Sequence, residues 1–248
     1  MFEKDDQIVR FSLQQRILNS LLLTTRFLND PGLLYGKMGI LLVLVEYNKL
    51  YPDRISEDYI GELIEELWDD IHDELPFNFS KGLCGIGWGV EFLIHNNIIE
   101  GEGKEICAEI DWKIMQTDPR RIKDLSLENG MEGLLRYVLV HIGHALQQNK
   151  SLPFDETYCY DLFQTVNVLM QSNSKCSSIY YFIKQYVAFY SSNERPEIKL
   201  FLDELVTNVS FDENKLWDYS LGLRCGLAGI LLKLSLIHIS EPTRLRCI

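Results

Sequence analysis

Leu33-Leu-Tyr-Gly36-Lys-Met-Gly39-Ile, Phe79-Ser-Lys-Gly82-Leu-Cys-Gly85-Ile, Leu127-Glu-Asn-Gly130-Met-Glu-Gly133-Leu and Leu223-Arg-Cys-Gly226-Leu-Ala-Gly229-Ile are copies of one pattern. Each reads apolar residue, two variable residues, Gly, two variable residues, Gly, then an apolar run. The first glycines stand at 36, 82, 130 and 226, in steps of 46, 48 and 96 residues, so the last step is twice the one before it. The doubled step predicts a further copy centred on position 178. The chain there reads Lys175-Cys-Ser-Ser178-Ile-Tyr-Tyr181, with Ser178 and Tyr181 in the glycine slots. A fixed period of this length marks a repeat architecture and outweighs local propensity in deciding the fold.

Each period contains two helical patterns. One is amphipathic and acidic, as in residues 56–71, where Ile60, Leu63, Ile64, Leu67, Trp68 and Ile71 recur with the spacing of a surface helix. Ser56 followed by Asp58 reads as its amino-terminal cap. The other pattern is almost wholly apolar, as in the Ile-Leu-Leu-Val-Leu-Val run after Gly39, and predicts a helix buried all round. The alternation continues with outer helices expected near 103–116, 155–171 and 196–208, and inner helices near 130–146 and 179–191 and from about 226. The apolar runs carry no period-2 alternation, and hairpin turn signals are absent, so the chain reads as all-α. Acidic outer helices around apolar inner ones predict an α/α toroid of about five hairpins, with an incomplete ring as the alternative.

The glycines at 36, 39, 82, 85, 130, 133, 226 and 229 fit that geometry. At the start of an inner helix, a residue without Cβ lets neighbouring backbone approach closely. Packing alone accounts for any one of them. Their alignment has a second implication: inner-helix amino termini that face one end of a ring would present free N–H groups around a common mouth. Lys81, Glu128, Glu132 and Arg224 are polar residues at or beside those helix starts and are the expected pocket lining. Glu128 reads equally well as a carboxylate on a helix dipole.

The composition narrows the partners. At 248 residues the length suits one large domain or two small ones, and the repeat favours one, over 1–234. A formal charge of −12 works against binding to a phosphate backbone or an anionic lipid surface, so no nucleic acid and no membrane partner is expected. The sequence Met1-Phe-Glu-Lys-Asp-Asp-Gln lacks the layout of a secretion signal, and a cytoplasmic protein is expected. Its six cysteines form no C-x-x-C pair and are expected to be mostly buried thiols. After Leu234 the reading changes. Residues 235–248, Ser-Leu-Ile-His-Ile-Ser-Glu-Pro242 onward, look like a sequencing-adapter read-through and are taken as a non-native or disordered tail, with truncation of the gene product as an open expectation.

Gly82-Leu-Cys-Gly-Ile-Gly-Trp-Gly-Val-Glu-Phe-Leu93, Ser126-Leu-Glu-Asn-Gly-Met-Glu-Gly-Leu-Leu135 and Gly222-Leu-Arg-Cys-Gly-Leu-Ala-Gly-Ile-Leu231 resemble the repeat signatures of the lanthionine synthetase C-like (LanC-like) family. The resemblance covers residues 10 to 234, roughly the whole repeat region. It implies an α/α toroid that takes a peptide substrate and closes thioether rings with a zinc ion held by two cysteines and a histidine. The family's ligands lie in two consecutive repeats, just before the first glycine. Aligned on the period, Cys176 occupies the first of these positions, while Arg224 and Cys225 stand where a Cys and a His are required. Two thiolates fall short of the three protein ligands usual at a catalytic zinc, and a guanidinium is repelled by the ion. The expectation is therefore a LanC-like protein with peptide or a peptide-modifying enzyme as partner, zinc absent, and a Cys176–Cys225 zinc site as the alternative. His141 and His144, about three turns into their helix, are expected at a solvent-facing rim away from the mouth. A non-catalytic scaffold is the second functional reading. An α/α-barrel glycoside hydrolase using Glu128 and Glu132 is the remote third.

Overall fold

Short loops fold back onto the starts of four helices, and this local motif builds the fold. The computed structural model describes residues 3–72, 74–172, 178–207 and 211–240. Lys37, Leu83, Met131 and Leu227 each donate a backbone N–H to the carbonyl seven residues earlier, on Asp30, Pro76, Asp124 and Ser220, at 2.8 to 2.9 Å. The preceding glycines have extended backbone, with φ of −110° at Gly36, −116° at Gly82 and −125° at Gly130, which any residue adopts. Space, not conformation, demands glycine here. A Cβ would lie 2.2 Å from the Asp30 oxygen at Gly36, 1.9 Å from Pro76 at Gly82, 2.2 Å from Asp124 at Gly130 and 2.4 Å from Ser220 at Gly226. The second glycine obeys the same rule: at Gly39, Gly133 and Gly229 a Cβ would meet the carbonyl oxygen of Leu33, Leu127 or Leu223 at 1.9 to 2.3 Å. Gly85 is buried.

All regular structure among the described residues is helical, without strands. The helices are α1 (Glu3–Thr24), α2 (Lys37–Leu50), α3 (Glu57–Asp69), α4 (Leu83–His95), α5 (Gly103–Ile106), α6 (Ala108–Met115), α7 (Met131–Gln147), α8 (Glu156–Ser172), α9 (Ser178–Ser192) and α10 (Leu227–Ser240). The inner helices α2, α4, α7 and α10 begin where the glycine period places them, and α9 is helical from Ser178, the first residue described there. Ser56 caps α3 through its side chain, accepting from the Tyr59 N–H at 3.2 Å. The α10 helix continues through Ser240, and Ser235 within it is buried with its hydroxyl bonded to the Leu231 carbonyl at 2.7 Å.

The chain divides into two compact units. In the unit formed by Met1–Ile71 and Phe201–Ile248, α10 packs on both α2 and α1, and α3 covers α2. In the unit His72–Leu200, α4 packs on α7, α7 on α9 and α8 on α9, while α5 and α6 cover α4. Helix α4 is buried continuously from Leu83 to Leu93, as a sequence apolar but for Glu91 requires. Each large apolar side chain buried there contributes about 1.5–3 kcal/mol. Helix α9 departs from the expected all-round burial: Ile179, Phe182, Ile183, Tyr186 and Phe189 form a single buried stripe, because Lys184 and the serines at its end keep the other face polar.

The outer helix expected near 196–208 does not form. Residues 193–202 are irregular, followed by a 3-10 turn over Asp203–Leu205. Pro196 disfavours a helical residue before it. The Ile198 side chain instead packs on bare Gly143, where a Cβ would lie 2.9 Å from it.

Two glycine substitutions separate steric need from helix propensity. Gly82→Ala forces a Cβ onto the Pro76 carbonyl and is expected to destabilise by about 2–3 kcal/mol. Gly61→Ala, in α3 with nothing within 4 Å of the new methyl group, is expected to stabilise by about 0.5–1 kcal/mol. Urea denaturation of the two variants beside the parent checks both signs.

Candidate functional site

The helix starts differ from expectation in one decisive respect: their first N–H groups are not free. The carbonyls seven residues back occupy the first N–H of α2, α4, α7 and α10, and the second N–H of α2, α4 and α10 is likewise bonded, Met38 to Pro31, Cys84 to Phe77 and Ala228 to Leu221. An anion held there would need side chains rather than helix ends.

The expected lining residues lie in two separate settings. Lys81 is exposed, and its loop joins the next one through the Phe79 and Ser80 N–H groups, which both donate to the Glu128 carbonyl at 3.1 and 3.0 Å. Asn78 and Asn129 extend that junction at 3.1 Å. Glu132 is buried, paired with Arg136 at 3.2 Å, and accepts a hydrogen bond from Ser178 at 2.6 Å. The polar residue in the degraded glycine slot thus has a partner one repeat earlier. In the other unit, the Arg224 guanidinium donates to the Leu205 carbonyl at 3.1 Å, and its backbone joins Leu34 and Thr207. Cys225 is exposed, whereas Cys176 lies outside the described residues.

The most polar constellation is one that the sequence reading placed elsewhere. His141 and His144 are buried, at 1 % and 7 % exposure, rather than facing solvent themselves. Both bond through Nδ1 to the carboxylate of Glu91 on α4, His141 to Oε1 and His144 to Oε2. The Nε2 of His141 meets Asp111 Oδ2 at 2.9 Å, and the Tyr137 hydroxyl donates to Asp111 Oδ1 at 2.6 Å. The Nε2 of His144 lies 3.2 Å from Nδ1 of the exposed His95. A chain of polar contacts therefore runs from fully buried Tyr137 to the surface. Histidines three turns into α7 are buried because α4, α5 and α6 cover that length of the helix pair. A cavity of about 10 Å³, with room for roughly one water, adjoins Glu91, His141 and His144.

Buried charge needs this degree of pairing. Burial alone would pull His141 down, but its hydrogen bonds to Asp111 and Glu91 and their charges override that effect and push it up to about 9. Burial acts to raise Glu91, yet the bonds from His141 and His144 hold it below the usual carboxylate range. Asp111 stays above its ordinary value because burial outweighs the help of His141 and Tyr137. Burial pushes the Cys84 and Cys107 thiols well up, which removes them as thiolate nucleophiles at neutral pH. Among the described residues no three His, Cys, Asp or Glu side chains converge in an arrangement that would hold a metal ion.

A signal for this network exists in the sequence. Glu91 interrupts a run that is otherwise apolar from Leu83 to Ile94, and an acid in such a place requires a partner. His141 and His144 interrupt the next inner helix. No protein-family model matches the chain, and a search of curated proteins finds no match.

The titration of His141 carries a stability signature. Its folded-state value lies above 6.5, so its contribution is fully present below about pH 6.5 and is lost as the pH rises through about 9. At about 1.4 kcal/mol per unit, the loss amounts to about 3 kcal/mol. Urea midpoints between pH 6.5 and 9.5 are expected to fall in the parent and to change much less in His141→Gln.

Proposed function

We propose that the chain is a LanC-like α/α toroid that binds a peptide at its mouth and acts as a binding component of a peptide-modifying pathway. One observation carries this reading. The Ser80 N–H in the second copy and the Glu128 carbonyl in the third, both two residues before their first glycine, are joined at 3.0 Å. The equivalent atoms of the last copy and the first, Arg224 N–H and Leu34 carbonyl, are joined at 2.9 Å. Side chains repeat the relation. Phe79 fills the hollow at Gly133 of the following copy, and Leu223 fills the hollow at Gly39 of the first. Within each unit one copy therefore docks on another through the same backbone and side-chain relation, which supports a repeat architecture of the kind the resemblance implies.

The donor set does not fit the zinc centre that the resemblance implies. Arg224 puts a fixed positive charge where the family has a thiolate, and Cys225, which is exposed, stands where the family has a histidine. No step is therefore routed through zinc, and binding is the activity assigned. The hydrolase reading loses support because Glu132 is buried against Arg136 and Ser178, away from any paired role with Glu128.

A fluorescent peptide carrying dehydrated serine or threonine and a cysteine tests the proposal. Saturable binding is expected, weakened about tenfold by joint Lys81→Ala and Arg224→Ala substitution, with no stoichiometric zinc by elemental analysis. An absence of saturable binding overturns the peptide reading. One zinc per chain, lost in a Cys176→Ala and Cys225→Ala double variant, restores thioether cyclisation.

A further inference from the structure

Asn129-Gly130 is the one asparagine–glycine step in the chain. Such a step is chemically labile, because glycine carries no Cβ to obstruct ring closure between its backbone nitrogen and the preceding side-chain carbonyl. The fold keeps the glycine regardless: a Cβ at 130 would lie 2.2 Å from the Asp124 oxygen. It also uses the asparagine. Oδ1 of Asn129 accepts from Asn78 Nδ2 at 3.1 Å and from the Ser80 hydroxyl at 3.4 Å, both in the loop of the preceding copy. In the other glycine-bearing copies Tyr35, Lys81 and Cys225 hold this position, so the lability belongs to the third copy alone.

We propose that Asn129 is a latent deamidation site, which the capping loop of α7 holds closed and which reacts when that loop opens. In the reaction the Gly130 N–H loses its proton to solvent base, and the nitrogen bonds to Cγ of Asn129. The Cγ–Nδ2 bond breaks and ammonia leaves, giving a five-membered succinimide. Water then opens the ring at either carbonyl, to aspartate or to isoaspartate, and nothing is oxidised or reduced. The closed loop restrains both reacting groups. Gly130 is buried and its N–H donates to the Ser126 carbonyl at 3.1 Å, which keeps solvent base from that proton. The Asn129 N–H donates to Ser126 Oγ at 3.3 Å, while Asn78 and Ser80 hold its side-chain carbonyl across the junction. The two products differ in what they leave behind. Aspartate keeps the backbone length, and its carboxylate still accepts from Asn78 and Ser80. Isoaspartate adds a main-chain atom inside the span that the bond from the Met131 N–H to the Asp124 carbonyl closes at 2.9 Å. The lengthened loop no longer brings that N–H to its carbonyl, so the isoaspartate route leaves the start of α7 uncapped.

Peptide mass spectrometry on the whole chain, incubated at mildly alkaline pH in buffer and in urea, tests the proposal. Conversion of the Asn129 amide to a carboxylate is expected to run at least about tenfold more slowly in buffer than in urea. Asn78→Ala and Ser126→Ala each remove a bond to Asn129. Both are expected to raise the rate in buffer by about threefold or more and to leave the rate in urea unchanged. Exchange of the Gly130 amide in the parent, followed by NMR, needs no variant and is expected to be slowed by a comparable factor. After urea is removed, isoaspartate chains are expected to lack protection at the Met131 amide, which Asn129→Asp retains. No conversion in urea, equal rates in buffer and urea, or an unprotected Gly130 amide would overturn the proposal. So would folded variants that react at the parent's rate in buffer, or isoaspartate chains with Met131 protected.

Discussion

A backbone N–H at a helix start, bonded to a carbonyl seven residues earlier, is the constraint on which the rest of this fold depends. The bond bends each loop tightly over the first turn and fills with a carbonyl oxygen the space that a side chain would take. Glycine follows twice, once at the cap and once three residues on. In two of the loops the leading apolar residue reaches outward, Phe79 to Gly133 and Leu223 to Gly39. One steric rule thus governs both the entry to a helix and the contact between copies.

Much of this was legible in the chain itself because the rule leaves a mark at fixed positions. The starts of α2, α4, α7 and α10 follow from their glycines, and the period also places an inner helix at α9 although its glycines are gone. The failure at 196–208 has a physical source: the apolar spacing of Ile198, Leu202 and Leu205 mimics a helix, while Pro196 and the docking of Ile198 on Gly143 fix an irregular path. The polar network was less legible. Glu91 announces a need for a partner, but which histidines meet it depends on the register between α4 and α7, and no single helix encodes that.

The expected pocket lining divides along the same line. Lys81 and Arg224 keep polar groups at loop positions, whereas Glu132, one turn inside a helix, is taken up by Arg136 and Ser178. Position relative to the capping loop separates the two outcomes: before the glycine a side chain remains on the loop, and after it the neighbouring helix closes over it. The engaged N–H groups add a further restriction, since binding at the loops must rely on side chains rather than on helix dipoles.

The seven-residue reach of the capping bonds also sets an order of assembly. Loops of about ten residues close in roughly 10–100 ns, far faster than distant segments meet. Four helix starts can therefore nucleate independently, each within its own stretch of chain. The slow encounter is left to α10, which must find α1 and α2 across most of the polypeptide. That packing of α10 on α1 and α2 is the one step that no local stretch of chain can complete by itself.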